Sequence, residues 1–419
     1  MHSQNHYYLT RVRLEQGFVY DGNTVIGTET KLFSIEIKDG SIIALIPENA
    51  PLHPEVPRLD AKEQLLLPSF QDKHIHMEKG FYGSEWQAPR PRHGGILEMI
   101  EREQTLIPEY LKTSQQHSEQ VIKLLQSKGT TLARAHCNID PISGVKFLEH
   151  LLEVKERNQN AFNCEIVAFP QHGLLRSQVE PLVRDAMQLG ANYVGGLDPT
   201  QIDGAMEKSL DTIFQIATDY QRGIDIHLHE SSPSGIAALK YILDTVERSP
   251  QLHWQVNISH GFSLATLNPY QLVPIAERMA ELQVSLTSMI PFGGLIMPLR
   301  ELSEKGVHVT TGSDCIMDHW SPFGSGDMLE KANLYAKLYR GSDEFNLSRS
   351  LAIATGGVTP LDDKGQCVWP AVGCRANFVL IDASCSAESV ARLPNQRIAF
   401  YQGQQVHGQT LTESSTSNA

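Results

Sequence analysis

The sequence predicts an α/β protein, a (β/α)8 barrel with a small β-sandwich domain built from both chain ends. Three observations point to it. In the middle of the 419-residue chain, eight short apolar runs alternate with longer segments of helical period, the alternation that parallel β-α units produce. Both ends show short alternating apolar and polar pieces instead. Several of the eight runs close on a histidine or an aspartate, at the strand ends where barrels carry their chemistry.

In chain order, residues 1–65 read as hairpin strands. Tyr8-Leu9-Thr10-Arg11-Val12-Arg13-Leu14 and Leu32-Phe33-Ser34-Ile35-Glu36-Ile37 alternate with period two, and Asp21-Gly22-Asn23 and Lys38-Asp39-Gly40 supply the turns. Residues 66–356 form the predicted barrel. Its strands fall at about 65–76, 130–137, 164–170, 193–197, 224–229, 255–260, 284–289 and 307–314, and helical periods at 96–107, 118–126, 144–155 and 179–189 lie between them. Residues 357–419 return to β texture in Ala376-Asn377-Phe378-Val379-Leu380-Ile381-Asp382 and Arg397-Ile398-Ala399-Phe400-Tyr401, so the two ends are expected to pair. The stretch from Leu411 onward is polar and is expected to fray. No repeat or low-complexity linker breaks the middle, which favours one barrel over several smaller domains.

Composition narrows the function. With 41% apolar and 20% charged residues the chain can fill a large core, and no segment approaches the roughly 18 uninterrupted apolar residues of a membrane span. A formal charge of −13, with no basic run to offset it, argues against polymeric nucleic acid as a partner. Met1-His2-Ser3-Gln4-Asn5-His6-Tyr7 lacks the features of a secretory signal. The six cysteines (Cys137, Cys164, Cys315, Cys367, Cys374, Cys385) form no CxxC pair. A cytoplasmic chain with free thiols is expected.

His74-Ile75-His76 ends the first run, after Leu65-Leu66-Leu67-Pro68-Ser69-Phe70. Residues i and i+2 of a strand share a face, so two imidazoles aim at one point, as a metal site requires. Among 17 histidines such a pair alone says little. Its weight comes from His227, His260 and Asp314, which lie at or near the ends of the fifth, sixth and eighth runs. His74, His76, His227 and Asp314 are assigned as ligands of one divalent transition metal ion, zinc or iron with manganese a third candidate. Three neutral imidazoles and a carboxylate leave a position for water, whose pKa a bound ion lowers toward neutrality. Glu230, three residues after His227, is the nearby acid; the bland alternative is an N-cap or solvent-facing carboxylate.

On these residues the sequence resembles the amidohydrolase superfamily, and within it the cytosine deaminase branch. The resemblance runs over nearly the whole chain and includes Val167-Ala168-Phe169-Pro170-Gln171, Ile224-Asp225-Ile226-His227 with Glu230, Ser259-His260, and Gly312-Ser313-Asp314 followed by Asp318, Trp320, Pro322 and Gly324. It implies a mononuclear metal without a bridging carbamylated lysine. The activity it implies is hydrolytic deamination of a small nitrogen heterocycle, with water attacking an amidine carbon and ammonia leaving. In that reaction Glu230 would shuttle a proton to the ring nitrogen, His260 would orient the water, and Asp314 would take its proton. Gln171 carries donors and an acceptor suited to a ring carbonyl and adjacent N–H, Trp320 offers a flat wall for the ring, and His136 reads as a hydrogen-bonded core histidine.

Three departures bear on the substrate. His229 stands where the branch carries an aspartate, and Cys315 where it carries an acid. The loop Gly195-Gly196-Leu197-Asp198-Pro199-Thr200 is unlike the branch's own, and Asp198 in it is a candidate reader of a basic or N–H-rich ring. His229, Cys315 and Asp198 therefore join Gln171 and Trp320 as substrate-binding candidates. Two other readings stay open: an amidohydrolase that releases another amine or opens a cyclic amide, and a catalytically silent binding protein on the same barrel. The expected partner is a small heterocyclic molecule, with neither nucleic acid polymer nor membrane, and a homo-oligomer stays open.

Overall fold

The run 65–76 divides at Ser69 between two sheets. In the computed structural model, which describes residues 6–91, 93–291 and 294–412, the first sheet contains β1 (His6–Asp21), β2 (Thr24–Lys38), β3 (Ser41–Pro47), β4 (Arg58–Asp60) and β5 (Leu65–Pro68). The second contains β6 (Phe70–Ile75), β7 (Thr130–Asn138), β8 (Asn163–Phe169), β9 (Tyr193–Leu197), β10 (Gly223–Leu228), β11 (Val256–His260), β12 (Ser285–Ser288) and β13 (Val309–Thr311). The chain then returns to the first sheet with β14 (Phe378–Ile381), β15 (Arg397–Tyr401) and β16 (Gln404–His407). β5 is the seam of that sheet. It runs parallel to β1 and antiparallel to β14, so the two chain ends meet on Leu65-Leu66-Leu67-Pro68. Register shifts along β1 and β2 mark bulges, which bend strands. The sheet accordingly folds over one core that includes Tyr7, Leu9, Ile35, Phe378 and Phe400, giving the β-sandwich.

The eight strands β6 to β13 follow chain order and are parallel throughout. β10 shows why the site faces inward. Ile224, Ile226 and Leu228 belong to the apolar core shared with the helices, so the pleat turns Asp225 and His227 to the barrel interior. The ring closes where the eighth strand meets the first. The Asp314 N–H donates to the His74 carbonyl at 2.7 Å, and the His76 N–H donates to the Asp314 carbonyl at 3.0 Å. Asp72 Oδ1 clamps the same joint, accepting from the N–H groups of His74 (3.3 Å) and Ser313 (3.0 Å). Gly312 permits the approach, because a Cβ there would sit 2.4 Å from the His74 carbonyl oxygen.

The helices α1 (Ile96–Ser127), α2 (Lys146–Asn158), α3 (Glu180–Leu189), α4 (Met206–Tyr220), α5 (Ser234–Glu247), α6 (Pro269–Glu281), α7 (Leu299–Glu304) and α8 (Met328–Leu338) surround the barrel, and α9 (Glu344–Ser350) and α10 (Ser386–Arg392) follow. The segments predicted as separate helices at 96–107 and 118–126 are one, although Pro108 lies inside it. Buried positions Ile100, Glu103, Ile107, Tyr110, Ser114, His117 and Val121 recur every three or four residues on both sides of the proline. A continuous docked face offsets the roughly 3 kcal/mol that an interior proline costs. Leu411, expected to begin a frayed tail, is buried in the sandwich core; residues 413–419 of that stretch lie outside the described residues. Among the described residues no helix is long and apolar enough to cross a membrane.

Candidate metal centre and pocket

At the C-terminal mouth of the barrel, β6, β10, β11 and the turn after β13 deliver His74, His76, His227, His260 and Asp314 to one place. Ring centroids lie 4.5 Å apart for His74 and His227, 4.8 Å for His74 and His260, and 5.2 Å for His227 and His260. Asp314 Oδ1 stands 3.3 Å from His74 Nε2 and 3.5 Å from His76 Nε2. His260 lies almost as close to His74 as His227 does, and that spacing alone does not separate it from the ligand set. Both His260 (φ 70°) and Asp314 (φ 64°) hold left-handed backbone conformations, of order 1–3 kcal/mol of strain each that the surrounding fold sustains.

The residues fit a divalent ion. Among the described residues, His74 Nε2 and both ring nitrogens of His227 and His260 are buried without a hydrogen-bond partner, at about 1–3 kcal/mol for each orphaned group. The His76 Nδ1 lies 2.9 Å from the His136 carbonyl oxygen. A carbonyl only accepts, so Nδ1 bears the proton and Nε2 keeps its lone pair for the site. Burial, then the neighbouring imidazoles, holds His227 and His260 well below the ordinary histidine pKa, so both are neutral as metal ligands must be. Burial alone would raise Asp314, but the close His74 and His76 rings, with His260 beyond them, hold it well below the usual carboxylate range.

Above the cluster opens a cavity of about 770 Å³. Four of the substrate-binding candidates, Gln171, His229, Cys315 and Trp320, line it, together with the apolar side chains of Phe169, Leu197, Phe262 and Met289 and, from the start of α1, Ile96 and Met99. Burial, then Asp318, pushes the Cys315 thiol well above its ordinary pKa, so the group is un-ionised. Asp318 Oδ1 also accepts from the N–H groups of Trp320 (2.8 Å) and Ser321 (2.9 Å), which shapes the indole's loop.

Asp198 and Glu230 stand behind this wall. Asp198 Oδ1 accepts from the His229 N–H at 2.6 Å and the Glu230 N–H at 3.1 Å, and Oδ2 faces His229 Nδ1 at 2.9 Å. Its carboxylate is committed to orienting His229. Burial opposes charge on that ring, but Asp198 raises its pKa above the ordinary value. Glu230 Oε1 accepts from the N–H groups of Thr200 (2.7 Å) and Gln201 (3.0 Å), whereas Oε2 is buried with no hydrogen-bond partner among the described residues. His136 lies fully buried against the His74 ring, centroids 3.9 Å apart. It is a core residue, but neither ring nitrogen has a hydrogen-bond partner among the described residues, contrary to the hydrogen-bonded core histidine expected.

Lys79 was not anticipated. Three residues past His76 and buried, its ammonium donates to Gln171 Oε1, Glu103 Oε1 and, at 3.0 Å, Asn138 Oδ1. An ammonium only donates, so the Gln171 atom facing it is the oxygen and the NH₂ is left for the cavity. The expected two-way recognition by Gln171 narrows to a donor. The sequence signal was Met77-Glu78-Lys79 directly after the histidine pair, but nothing local marks that lysine as buried.

Glu103, on α1, is the counter-charge. Burial alone would raise its pKa, but Lys79 and then His172 hold it below the usual carboxylate range. Glu103→Gln is expected to cost about 3 kcal/mol by unpairing a buried ammonium. Because the folded pKa is depressed, this stabilisation is present above the unfolded carboxylate value near ~4.3 and fades as pH falls below it. Urea unfolding of parent and variant at about pH 7 and about pH 4 should show the gap narrowing toward acid; a constant gap would contradict the ion pair.

Sequence comparison places this barrel, with histidines and an aspartate at its strand ends, in a class of hydrolases. The chain belongs to the amidohydrolase family, whose profile matches residues 104–407; at that level it is a hydrolase of C–N bonds. It is 55% identical over 406 residues, 96% of this chain and 88% of the relative, to a protein of Escherichia coli (strain K12) called "Uncharacterized protein YahJ". Among solved structures, N-isopropylammelide isopropylaminohydrolase from Burkholderia multivorans superposes with a TM-score of 0.82 at 29% identity, covering 96% of this chain and 98% of the other. The 5-methylcytosine deaminase of Klebsiella pneumoniae shares the fold, with a TM-score of 0.77 at 21% identity over 97% of this chain and 98% of the other.

Proposed function

We propose that the protein is a metal-dependent hydrolase that replaces an exocyclic amino group on an amidine carbon of a small nitrogen heterocycle. The observation that carries this reading is the convergence of imidazole nitrogens that lack hydrogen-bond partners among the described residues, together with the Asp314 carboxyl group, at the floor of an apolar-walled cavity. Phe169, Leu197 and Trp320 suit a flat ring, and the Gln171 NH₂ suits a ring carbonyl or an unprotonated ring nitrogen. His74, His76, His227 and Asp314 would hold a divalent ion, whose chemistry would be to activate a water near neutral pH. Asp314, ionised beside two imidazoles, accepts the proton of the attacking water, and His260 orients that water. Glu230, next to cavity-lining His229, keeps Oε2 uncommitted for carrying a proton to the ring nitrogen. The proton taken by Asp314 then passes to the exocyclic nitrogen, the carbon–nitrogen bond breaks, and the amine leaves as the new hydroxyl gives its hydrogen back to Glu230 and becomes the ring carbonyl.

A second reading differs only in the leaving group. The cavity, at about 770 Å³, falls within the ~300–1,000 Å³ of pockets that hold drug-sized ligands, and Ile96, Met99 and Phe323 make part of its lining apolar. That space accommodates an alkyl substituent on the departing nitrogen, as in the isopropylaminohydrolase it superposes on. A panel of aminopyrimidines, pterins and amino- or alkylamino-triazines, incubated with metal-replete protein, tests both readings. Release of ammonia or an alkylamine, with oxygen replacing nitrogen in the product mass, is expected. Addition of a whole water without amine release would mean ring opening and would sink the proposal.

A further inference from the structure

The two imidazoles of the first strand are held from behind in different ways. A backbone carbonyl holds His76, whereas His74 leans on a chain of side chains. Its Nδ1 lies 2.8 Å from Ser259 Oγ, and that hydroxyl donates its one hydrogen to Asp225 Oδ1 at 2.6 Å. Ser259 must then accept from His74, so Nδ1 carries the proton and Nε2, buried without a hydrogen-bond partner among the described residues, turns its lone pair toward Asp314. The other Asp225 oxygen accepts from Arg134 at 3.0 Å. Arg134 is fixed in turn by Glu165 (2.9 Å) and the Tyr193 hydroxyl (2.9 Å). Asp225 and Ser259 are wholly buried, so no solvent competes for these bonds.

From this arrangement we infer that Asp225, acting through Ser259, is a positioning residue for metal binding that sets the tautomer and the donor strength of His74. Arg134 keeps the carboxylate on Ser259 and away from the His136 ring, whose Nε2 is 3.8 Å from Asp225 Oδ2. Neither Asp225 nor Ser259 belongs to the ligand set. Asp225 lies two residues before the ligand His227, and Ser259 immediately before His260. The inference rests on the metal reading of the cluster.

Zinc affinity, measured by competition with a chromophoric chelator on the folded full chain, tests it apart from turnover. Ser259→Ala is expected to weaken zinc binding by about 10–100-fold, the usual effect of losing a partner behind a ligating histidine. Ser259→Cys, which keeps the side-chain size but accepts hydrogen bonds weakly, should also lose affinity and serves if the alanine variant does not fold. Ser259→Thr, which keeps the hydroxyl, should bind close to the parent, whereas a merely space-filling role would favour cysteine over threonine. Parent-like affinity in the alanine or cysteine variant, or a threonine variant as weak as alanine, would overturn the relay alone. A parent chain that binds no zinc, iron(II) or manganese(II) would overturn the metal reading beneath it.

Discussion

Asp314→Asn is expected to abolish stoichiometric metal binding and turnover together. Asparagine keeps the size of the side chain, and the backbone N–H and carbonyl of residue 314 still close the barrel against His74 and His76, so the variant should remain folded. It loses the negative charge that Asp314 places beside His74 and His76. Partners behind a ligating histidine are worth about 10–100-fold in affinity, and a direct ligand should exceed that. Metal content after dialysis, read by elemental mass spectrometry beside a melting curve, checks this. A folded variant that retains one ion per chain would remove Asp314 from the ligand set.

Glu230→Gln is expected to lower turnover by about 10²–10⁴-fold, the contribution of a positioned proton carrier, while metal stays bound. The substitution is discriminating because of how Glu230 is held. A glutamine oxygen can still accept from the Thr200 and Gln201 N–H groups at the Oε1 position, so only the uncommitted Oε2 changes, from an atom that can carry a proton to an NH₂ that cannot. Turnover and metal content are measured on the same preparation. Unchanged turnover would exclude Glu230 from proton transfer, and lost metal would recast it as a residue that supports the site.

His74-Ile75-His76 and the distant His227 and Asp314 were legible because strand period and strand-end position are local properties. Eight apolar runs, of which the first, fifth, sixth and eighth end at or near such residues, fix where the side chains converge. The division at Ser69 was not legible, since Leu65-Leu66-Leu67-Pro68 is as apolar as a barrel strand and only its pairing with β14 assigns it to the other sheet. α1 was read as two helical periods, 96–107 and 118–126, whereas its buried face runs on through Pro108 to join them. Asp198 and Gln171 were read by what their side chains can bond. Their partners, His229 and Lys79, come from tertiary neighbours, so what each leaves for a ligand was decided there. Ser259 and Asp225 sat in plain view beside two predicted site residues, but their contribution lies on the back of the His74 ring, which no spacing reveals.

The most direct test removes the metal from the protein with a chelator and returns zinc, iron(II) or manganese(II) stepwise while amine release from the ring substrate found in the panel is followed. Turnover is expected to vanish on stripping and to return in proportion to bound ion, saturating at one per chain. Full turnover by chain shown to be metal-free would contradict the central claim.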